Sequence, residues 1–306
     1  MGQAEDSEGR DIRTGKQMMS TDGFSCFVGI DWSGAKGRAH KGISVFMADD
    51  NNNVPQKVMP PGGRHWSRRQ LLSWLVELCR KKRVLAGIDF AFSYPFCDEQ
   101  AYFPGYHGSP ETAPQLWAMI DRLNASQDDL YGGGIWDHDS LGAYYNAPSG
   151  RKGRLFTSRR RLTEHHARAV KAPSPTFNCV GPAGVGTGSL AGMRFLHHLA
   201  DRADIWPFMA VGRHNLAVVE IFPSYYFAQA GIRAVNGAHS DVENINKALL
   251  HFGSAPVPSG FVAEGPDADD ADALISAAAL RAGQGSLMSC PQPESSKLEG
   301  WIFGVS

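Results

Sequence analysis

Short continuous apolar runs divide the chain into candidate β-strands. The run FSCFVGI at 24–30 is too short for a helix and predicts a strand buried on both faces of a sheet. GISVFMA at 42–48 follows a bend that contains glycine and predicts its hairpin partner. PQKVMP at 55–60 predicts an edge strand, because prolines flank it. VLAGIDFAF at 84–92 and NLAVVEIF at 215–222 predict two further buried strands.

Apolar residues spaced three and four apart predict the helices between these strands. The clearest case is 67–82, where Ser67 and Gln70 have the spacing of a capping box and an apolar stripe follows. Acids fill the first turns of the segment 267–283, alanines fill its body, and Gly283 suits its C-terminal end. Further helices are predicted near 113–124, at 188–202, at about 224–231 and at about 241–252, with a short closing strand at 301–304.

The order of these elements predicts an α/β fold. The order is two hairpin strands, an edge strand, a helix and another buried strand. We expect the first and the last of these strands, at 24–30 and 84–92, to lie side by side and parallel. We expect a mixed five-stranded sheet flanked by helices in a single domain over 23–306, after a flexible tail at 1–22. Residues 93–187 are rich in Gly, Pro, Tyr and Arg, and predict a long insertion near the functional edge of the sheet.

The composition excludes several classes of protein. Of 306 residues, 42% are hydrophobic and 20% are charged, which predicts an ordinary packed core. The net charge of -1 means that nucleic-acid binding would depend on local basic patches. Five widely spaced cysteines favour free thiols over a disulfide framework or a zinc site. Because no apolar run approaches the ~20 residues of a membrane span, we expect a cytoplasmic protein without a membrane partner.

Three of the buried strands end in acids. GIDW at 29–32 ends the first with Asp31, GIDF at 87–90 ends another with Asp89, and VEIF supplies Glu220. Removing a carboxylate from water costs several kcal/mol unless something compensates. If these strands are neighbours, their carboxylates converge at one edge of the sheet and repel one another.

The acidic helix start offers more carboxylates to the same edge. Asp269 and Asp272 are three residues apart and share one helix face, which the small Ser276 continues, so the helix can approach the sheet closely. Hard oxygen ligands suit Mg²⁺ or Mn²⁺, and this number of acids suits two cations ~4 Å apart that grip a phosphate. The predicted metal ligands and catalytic residues are Asp31, Asp89, Glu220, Asp269 and Asp272.

Each acid taken alone has an ordinary structural alternative. Asp31 also suits a turn, and Asp89 also suits an ion pair. Asp267 and Asp270 suit a helix N-terminus, which favours negative charge. It is the shared placement of the acids at strand ends and at one helix start that favours a metal site.

Five motifs together resemble one family. GIDWSGA, GIDFAFSYP, VEIFPSYYF, DADDADALISAAALRA and EGWIFG occur in this order, and the chain resembles domain-of-unknown-function family 429 over roughly residues 24–304. The resemblance implies an RNase H-like fold and nuclease activity.

The resemblance also implies roles for individual acids. Among RNase H-like proteins it implies a first acid on the first strand, here Asp31, and an acid that closes the fourth strand, here Asp89. The segment ADDADAL resembles the last acidic helix of a Holliday-junction resolvase, which indicates Asp269 and Asp272. Glu220 matches the Glu-x-aromatic-Pro segment of the family.

Two groups of basic residues are candidates for binding phosphate. The segment RKGRLFTSRRR at 151–161 contributes Arg159, Arg160 and Arg161. Lys36 and Arg38 follow Asp31 closely and are the other candidates. A solvated surface is the alternative for both groups, but an acidic metal site needs a basic counterpart to attract a polyanion.

These features predict a divalent-metal-dependent nuclease that acts on DNA or RNA. One alternative is an ATP-dependent phosphotransferase with an actin-like fold, which needs a second glycine-rich phosphate loop where VEIFPSYY stands. The other is a non-catalytic scaffold of the same fold that binds nucleic acid or protein.

Overall fold

One mixed sheet of six strands organises the described part of the chain. The computed structural model describes residues 23–49, 52–148, 150–181, 184–233, 237–289 and 293–306, so the predicted tail at 1–22 lies outside the described residues. The strands are β1 (Cys26–Asp31), β2 (Ser44–Asp49), β3 (Asn52–Lys57), β4 (Val84–Ile88), β5 (Asp204–Ile205) and β6 (Leu216–Glu220).

The strands lie in the order β3-β2-β1-β4-β6-β5. Strand β2 is antiparallel to β1 and β3, whereas β4, β6 and β5 pair in parallel from β1 outwards. The α/β class and the mixed sheet are confirmed, but the sheet has six strands where the sequence predicted five. The missed strand β5 has two residues, too few to produce a pattern. The predicted closing strand at 301–304 contributes only an isolated bridge, between Ile302 and Glu220.

Helices cover both faces of this sheet. Helix α1 begins with the predicted capping box, in which Ser67 and Gln70 exchange two hydrogen bonds of 3.0 Å. None of the helices in the described ranges is both long and apolar enough to cross a membrane. They are α1 (Arg68–Leu78), α2 (Ala113–Leu123), α3 (Leu162–Ala167), α4 (Val185–Leu199), α5 (Pro223–Gln229), α6 (Val242–His251), α7 (Asp269–Gly283), α8 (Ser286–Ser289) and α9 (Ser296–Glu299), with 3-10 helices at Asp128–Leu130, Gly133–Asp137 and Leu141–Tyr144.

Alternating side chains of the central strands supply two cores. In β1, Val28 and Ile30 enter the core that α1, α2 and α4 cover, whereas Phe27 enters the core beneath α5, α6 and α7. Because successive strand residues point to opposite faces, Gly29 and Asp31 lie on the same face as Phe27, which is the α7 face. The segment predicted as an insertion, 93–187, supplies α2, α3 and the 3-10 helices, and no strand among its described residues.

Helix α7 lies on β1 with almost no space between their backbones. A Cβ atom added to Gly29 would lie 2.1 Å from the carbonyl oxygen of Ala273 and 2.6 Å from the backbone nitrogen of Ala277. Ser276 also faces Gly29, as its small side chain predicted. This contact brings the first turn of α7 beside the end of β1.

We therefore expect Gly29→Ala to lower the free energy of unfolding by about 3 kcal/mol, because neither backbone can move away without disturbing the sheet. Gly285→Ala is the matched control, since an added Cβ there meets nothing within 4 Å. The control should stay within about 0.5 kcal/mol of the wild type in urea unfolding. Equal stability of the two variants would show that the helix does not need this close approach.

Candidate functional site

The repeated GID phrases lie on neighbouring parallel strands and in register. Ile30 of β1 pairs with Ile88 of β4, and the backbone N–H of Asp89 donates to the carbonyl of Ile30 at 3.0 Å. Asp31 and Asp89 therefore follow equivalent positions at the same edge of the sheet. Their side chains lie on the face that α7 covers, as the alternation along each strand requires.

The acidic first turn of α7 meets the two strand ends at one cavity. Asp269 and Asp272 line this cavity together with Asp31 and Asp89, and its volume is about 760 Å³. The structure thus brings all five predicted acids to one cavity, four of them from two strand ends and one helix face as expected, and the fifth, Glu220, from the opposite face of the sheet. Asp267 lies at the same cavity and is exposed.

Negative charge dominates the cavity. Seven carboxylates line it against two lysines and one arginine, so the acids, if all were ionised, would leave an excess of four negative charges over these cations. Among the described residues, no lysine or arginine forms an ion pair with any of the four acids that meet there, which are Asp31, Asp89, Asp269 and Asp272.

Burial and mutual repulsion disfavour the charged form of these acids. Burial raises the pKa of Asp31 well above its usual value, and the charges of Asp272, Asp89 and Asp269 raise it further. Burial likewise raises the pKa of Asp89, with Asp272 and Glu220 adding to the effect. For Asp269, burial is again the largest cause and raises the pKa to about 6.

His239 contacts one of these acids and gave no signal in the sequence. Its Nδ1 lies 3.0 Å from Oδ1 of Asp272, and its ring stacks on Phe227 with 4.0 Å between ring centroids. Burial raises the pKa of Asp272, whereas the hydrogen bond with His239 lowers it. The histidine thus fixes the orientation of a carboxylate 33 positions away in the chain.

Glu220 lines the cavity as well, but the register of the sheet sets it apart from the four acids. It pairs with Ile88 rather than with Asp89, so it is displaced by one residue and its side chain points to the opposite face. There its two oxygens accept hydrogen bonds from the guanidinium of Arg161, one of them at 2.7 Å. Its role as a metal ligand stays a prediction, and the ion pair argues against it, because the Arg161 guanidinium already occupies both oxygens.

The same ion pair engages Arg161, which lines the cavity but was predicted to bind phosphate. This arginine is 1% exposed and also bonds Glu164 at 2.8 Å, so it joins the insertion to the sheet instead of awaiting a phosphate. Burial opposes the charge of Arg161, but Glu220 and Glu164 raise its pKa above the usual value. Burial raises the pKa of Glu164.

The neighbouring arginines are also engaged within the protein. Arg159 bonds Asp98 at 2.9 Å and the carbonyl of Tyr102 at 2.9 Å. Arg160 donates to the carbonyl of Pro173. Neither Arg159 nor Arg160 lines the cavity, which corrects the expectation that they hold phosphate there.

Two lysines lie at the mouth of the cavity. Lys36 is exposed and lines it, as predicted, whereas Arg38 pairs with Asp128 at 3.1 Å and lies outside the lining. Lys41 is an exposed lining residue that the sequence did not single out. Its only sequence signal is its position in the loop that follows Asp31.

Two walls of the cavity are fixed to each other. Arg68 is fully buried and donates to the carbonyls of Ser33 and Ala35 at 2.6 and 2.7 Å, which holds the loop after β1. Trp32 donates through Nε1 to the carbonyl of Gly188 in α4 at 3.0 Å. The loop and the N-terminal turn of α4 therefore keep a set separation.

The residues present fit a hard divalent cation, although they do not form a complete ligand cage. In the part of the chain that the structure describes, no three His, Cys, Asp or Glu side chains are already arranged around one point. Oδ2 of Asp269 is buried without a hydrogen-bond partner, and the available donors are carboxylate oxygens. Such oxygens are the ligands that Mg²⁺ and Mn²⁺ prefer.

The raised pKa of Asp269 predicts how stability depends on pH. Without metal, the folded protein takes up a proton below about pH 6 that the unfolded chain binds only near 3.8. The wild type should therefore gain stability relative to Asp269→Asn as the pH falls from about 7.5 to about 5. At the higher pH we expect the melting temperature of the variant to exceed that of the wild type by about 2 °C or more, measured by thermal unfolding with chelator present. If the difference in melting temperature between the wild type and Asp269→Asn stayed the same over this pH range, the raised pKa of Asp269 would be contradicted.

The role of Glu220 predicts a contrast between two variants. Arg161→Met leaves Glu220 and Glu164 buried without their partner and should destabilise the protein by roughly 3–5 kcal/mol. Glu220→Gln should also lower the free energy of unfolding. It should leave the Mn²⁺ affinity within about threefold, because Arg161 already occupies both oxygens of Glu220 in the wild type. Chemical denaturation and Mn²⁺ calorimetry measure the two quantities, and loss of Mn²⁺ binding in Glu220→Gln would restore Glu220 as a ligand.

The chain was compared with family models, with curated proteins and with solved structures. No family model, no curated protein and no solved structure matches the chain. The resemblance to domain-of-unknown-function family 429 therefore stays a prediction, and the functional argument depends on the cavity itself.

Proposed function

We propose that this protein is a divalent-metal-dependent nuclease with an RNase H-like fold that hydrolyses phosphodiester bonds. One observation carries the proposal. Asp31, Asp89, Asp269 and Asp272 meet in one cavity, and none of them has a lysine or arginine partner in the described residues. Three features support the proposed fold: the mixed sheet, the acids after two adjacent parallel strands, and the acidic helix on the same face. The family resemblance implies the same placement of acids.

Mutual repulsion is the reason to expect cations in this cavity. Carboxylates that raise one another's pKa are relieved either by protons or by a bound cation, and near neutral pH protons are scarce. Asp31, Asp89, Asp269 and Asp272 would hold Mg²⁺ or Mn²⁺, with His239 orienting the last of them. When bound, such cations supply positive charge to a phosphate and acidify water, so the protein needs no nucleophile of its own.

The rim of the cavity favours a phosphate-bearing substrate. Lys36 and Lys41 are exposed at the mouth and attract a polyanion towards the acids. Val185 and Thr187, in the first turn of α4, line the same space. A phosphate would therefore meet positive groups on the outer side and the metal ligands on the inner side.

Asp31→Asn tests the proposal directly. It removes one ligand charge while it keeps the shape of the side chain, so Mn²⁺-dependent cleavage of labelled DNA or RNA should fall at least about a hundredfold. The matched control is Asp201→Asn, an exposed acid outside the cavity lining, which should keep full activity.

Thermal unfolding should show that Asp31→Asn still folds, and in the absence of metal it should be at least as stable as the wild type. Full cleavage by Asp31→Asn would reject the nuclease assignment. Failure of the wild type to bind Mn²⁺ in calorimetry would instead favour a non-catalytic scaffold.

A further inference from the structure

A second cavity continues the acidic one along the sheet. Its volume is about 410 Å³, and Lys41 and Pro266 line both cavities. Beyond Lys41 it passes Arg64 and His65, in the loop before α1. The two cavities are therefore adjacent and are together called the groove, with the acids in one cavity and Arg64 and His65 in the other.

The second recess carries positive charge that the protein does not neutralise internally. Lys57 is engaged there, since it bonds Glu264 at 3.0 Å and Asp270 at 2.7 Å. Lys41 and Arg64 are exposed, and neither forms an ion pair with a carboxylate among the residues that the structure describes. The groove thus offers two available cations beside the acidic cavity, where a chain of phosphates would continue.

The depth of the acids restricts what can reach them. Asp31 is 9% exposed and Asp269 is 5% exposed, so a phosphate must enter the recess to meet them. A volume of about 760 Å³ takes roughly one or two nucleotides. A duplex is stiff over about 150 base pairs and carries its phosphates on a convex surface, whereas a single strand bends into a recess.

Close contacts hold the loop after β1 against α4 at one side of the acidic cavity. A Cβ on Gly34, in the loop after β1, would lie 2.3 Å from the backbone of Thr187, so the loop and α4 are already in contact. Arg68 holds the same loop from behind through its carbonyl groups. These contacts set the width of the acidic cavity on the side of this loop.

We propose, on the basis of the nuclease function above, that the substrate is single-stranded nucleic acid. Its scissile phosphate enters the acidic cavity, and its flanking nucleotides pass Lys41 and lie in the second cavity beside Arg64 and His65. The single strand is selected because only a flexible backbone can enter the first recess and continue into the second.

Binding of phosphorothioate oligonucleotides, which resist hydrolysis, tests this path. With Mn²⁺ present, fluorescence anisotropy compares a single strand of about 12 nucleotides with its duplex. We expect the wild type to bind the single strand at least about tenfold more tightly than the duplex. The variant Lys41→Glu/Arg64→Glu should lose roughly tenfold or more of that affinity, and the slope of log affinity against log salt should fall by about 1.4.

The control variant is Arg80→Glu/Lys81→Glu, which makes the same change in charge at exposed positions outside both cavities. It should keep the single-strand affinity of the wild type. Equal wild-type affinity for single strand and duplex would overturn the inference, as would undiminished binding by Lys41→Glu/Arg64→Glu or no binding at all.

A small diester separates this inference from the nuclease proposal. Bis(p-nitrophenyl) phosphate is short enough to occupy the acidic cavity alone, so its Mn²⁺-dependent hydrolysis by the wild type tests the nuclease without the second cavity. Hydrolysis of this diester together with tight duplex binding would keep the nuclease and reject the single-strand path. No hydrolysis and no Mn²⁺ binding by the wild type would reject the nuclease, while the anisotropy comparison would still decide the path.

Discussion

The contact between α7 and β1 at Gly29 is the interaction on which the rest of the structure depends. Because this glycine has no side chain, the backbone of the helix lies against the strand, and the acidic first turn of α7 is carried to the end of β1. A larger residue would move Asp269 and Asp272 away from Asp31 and into water. Packing of an apolar helix on a sheet thus supplies the free energy that holds like charges together.

Register then decides from which face of the sheet each acid reaches the cavity. Asp31 and Asp89 follow equivalent positions on parallel strands, whereas Glu220 is displaced by one residue and faces the other side of the sheet. A strand has a period of two, so a displacement of one residue exchanges one environment for another. On one face the carboxylates have no lysine or arginine partner among the described residues, and on the other a carboxylate is neutralised by Arg161.

Much of this arrangement could be predicted from the sequence. Continuous apolar runs indicated four strands, a capping box indicated α1, and acids at two strand ends and in α7 indicated four of the residues at the cavity. The edge strand predicted at 55–60 begins earlier, at Asn52. The two-residue β5 has no pattern to detect. The partners of Arg161 and the contact of His239 depend on pairings between distant segments, and a basic run looks the same whether its arginines face solvent or a buried acid. Register and pairing are tertiary information.

The ion pair between Arg161 and Glu220 has a consequence for the order in which the protein assembles. Its two residues are 59 positions apart, and both are nearly inaccessible to solvent once joined. Neither charge gives up its hydration shell cheaply before the other is in place. We therefore expect the insertion to dock only once the central strands have associated, so that the acids after β1 and β4 are open to ions before Arg161 is in place.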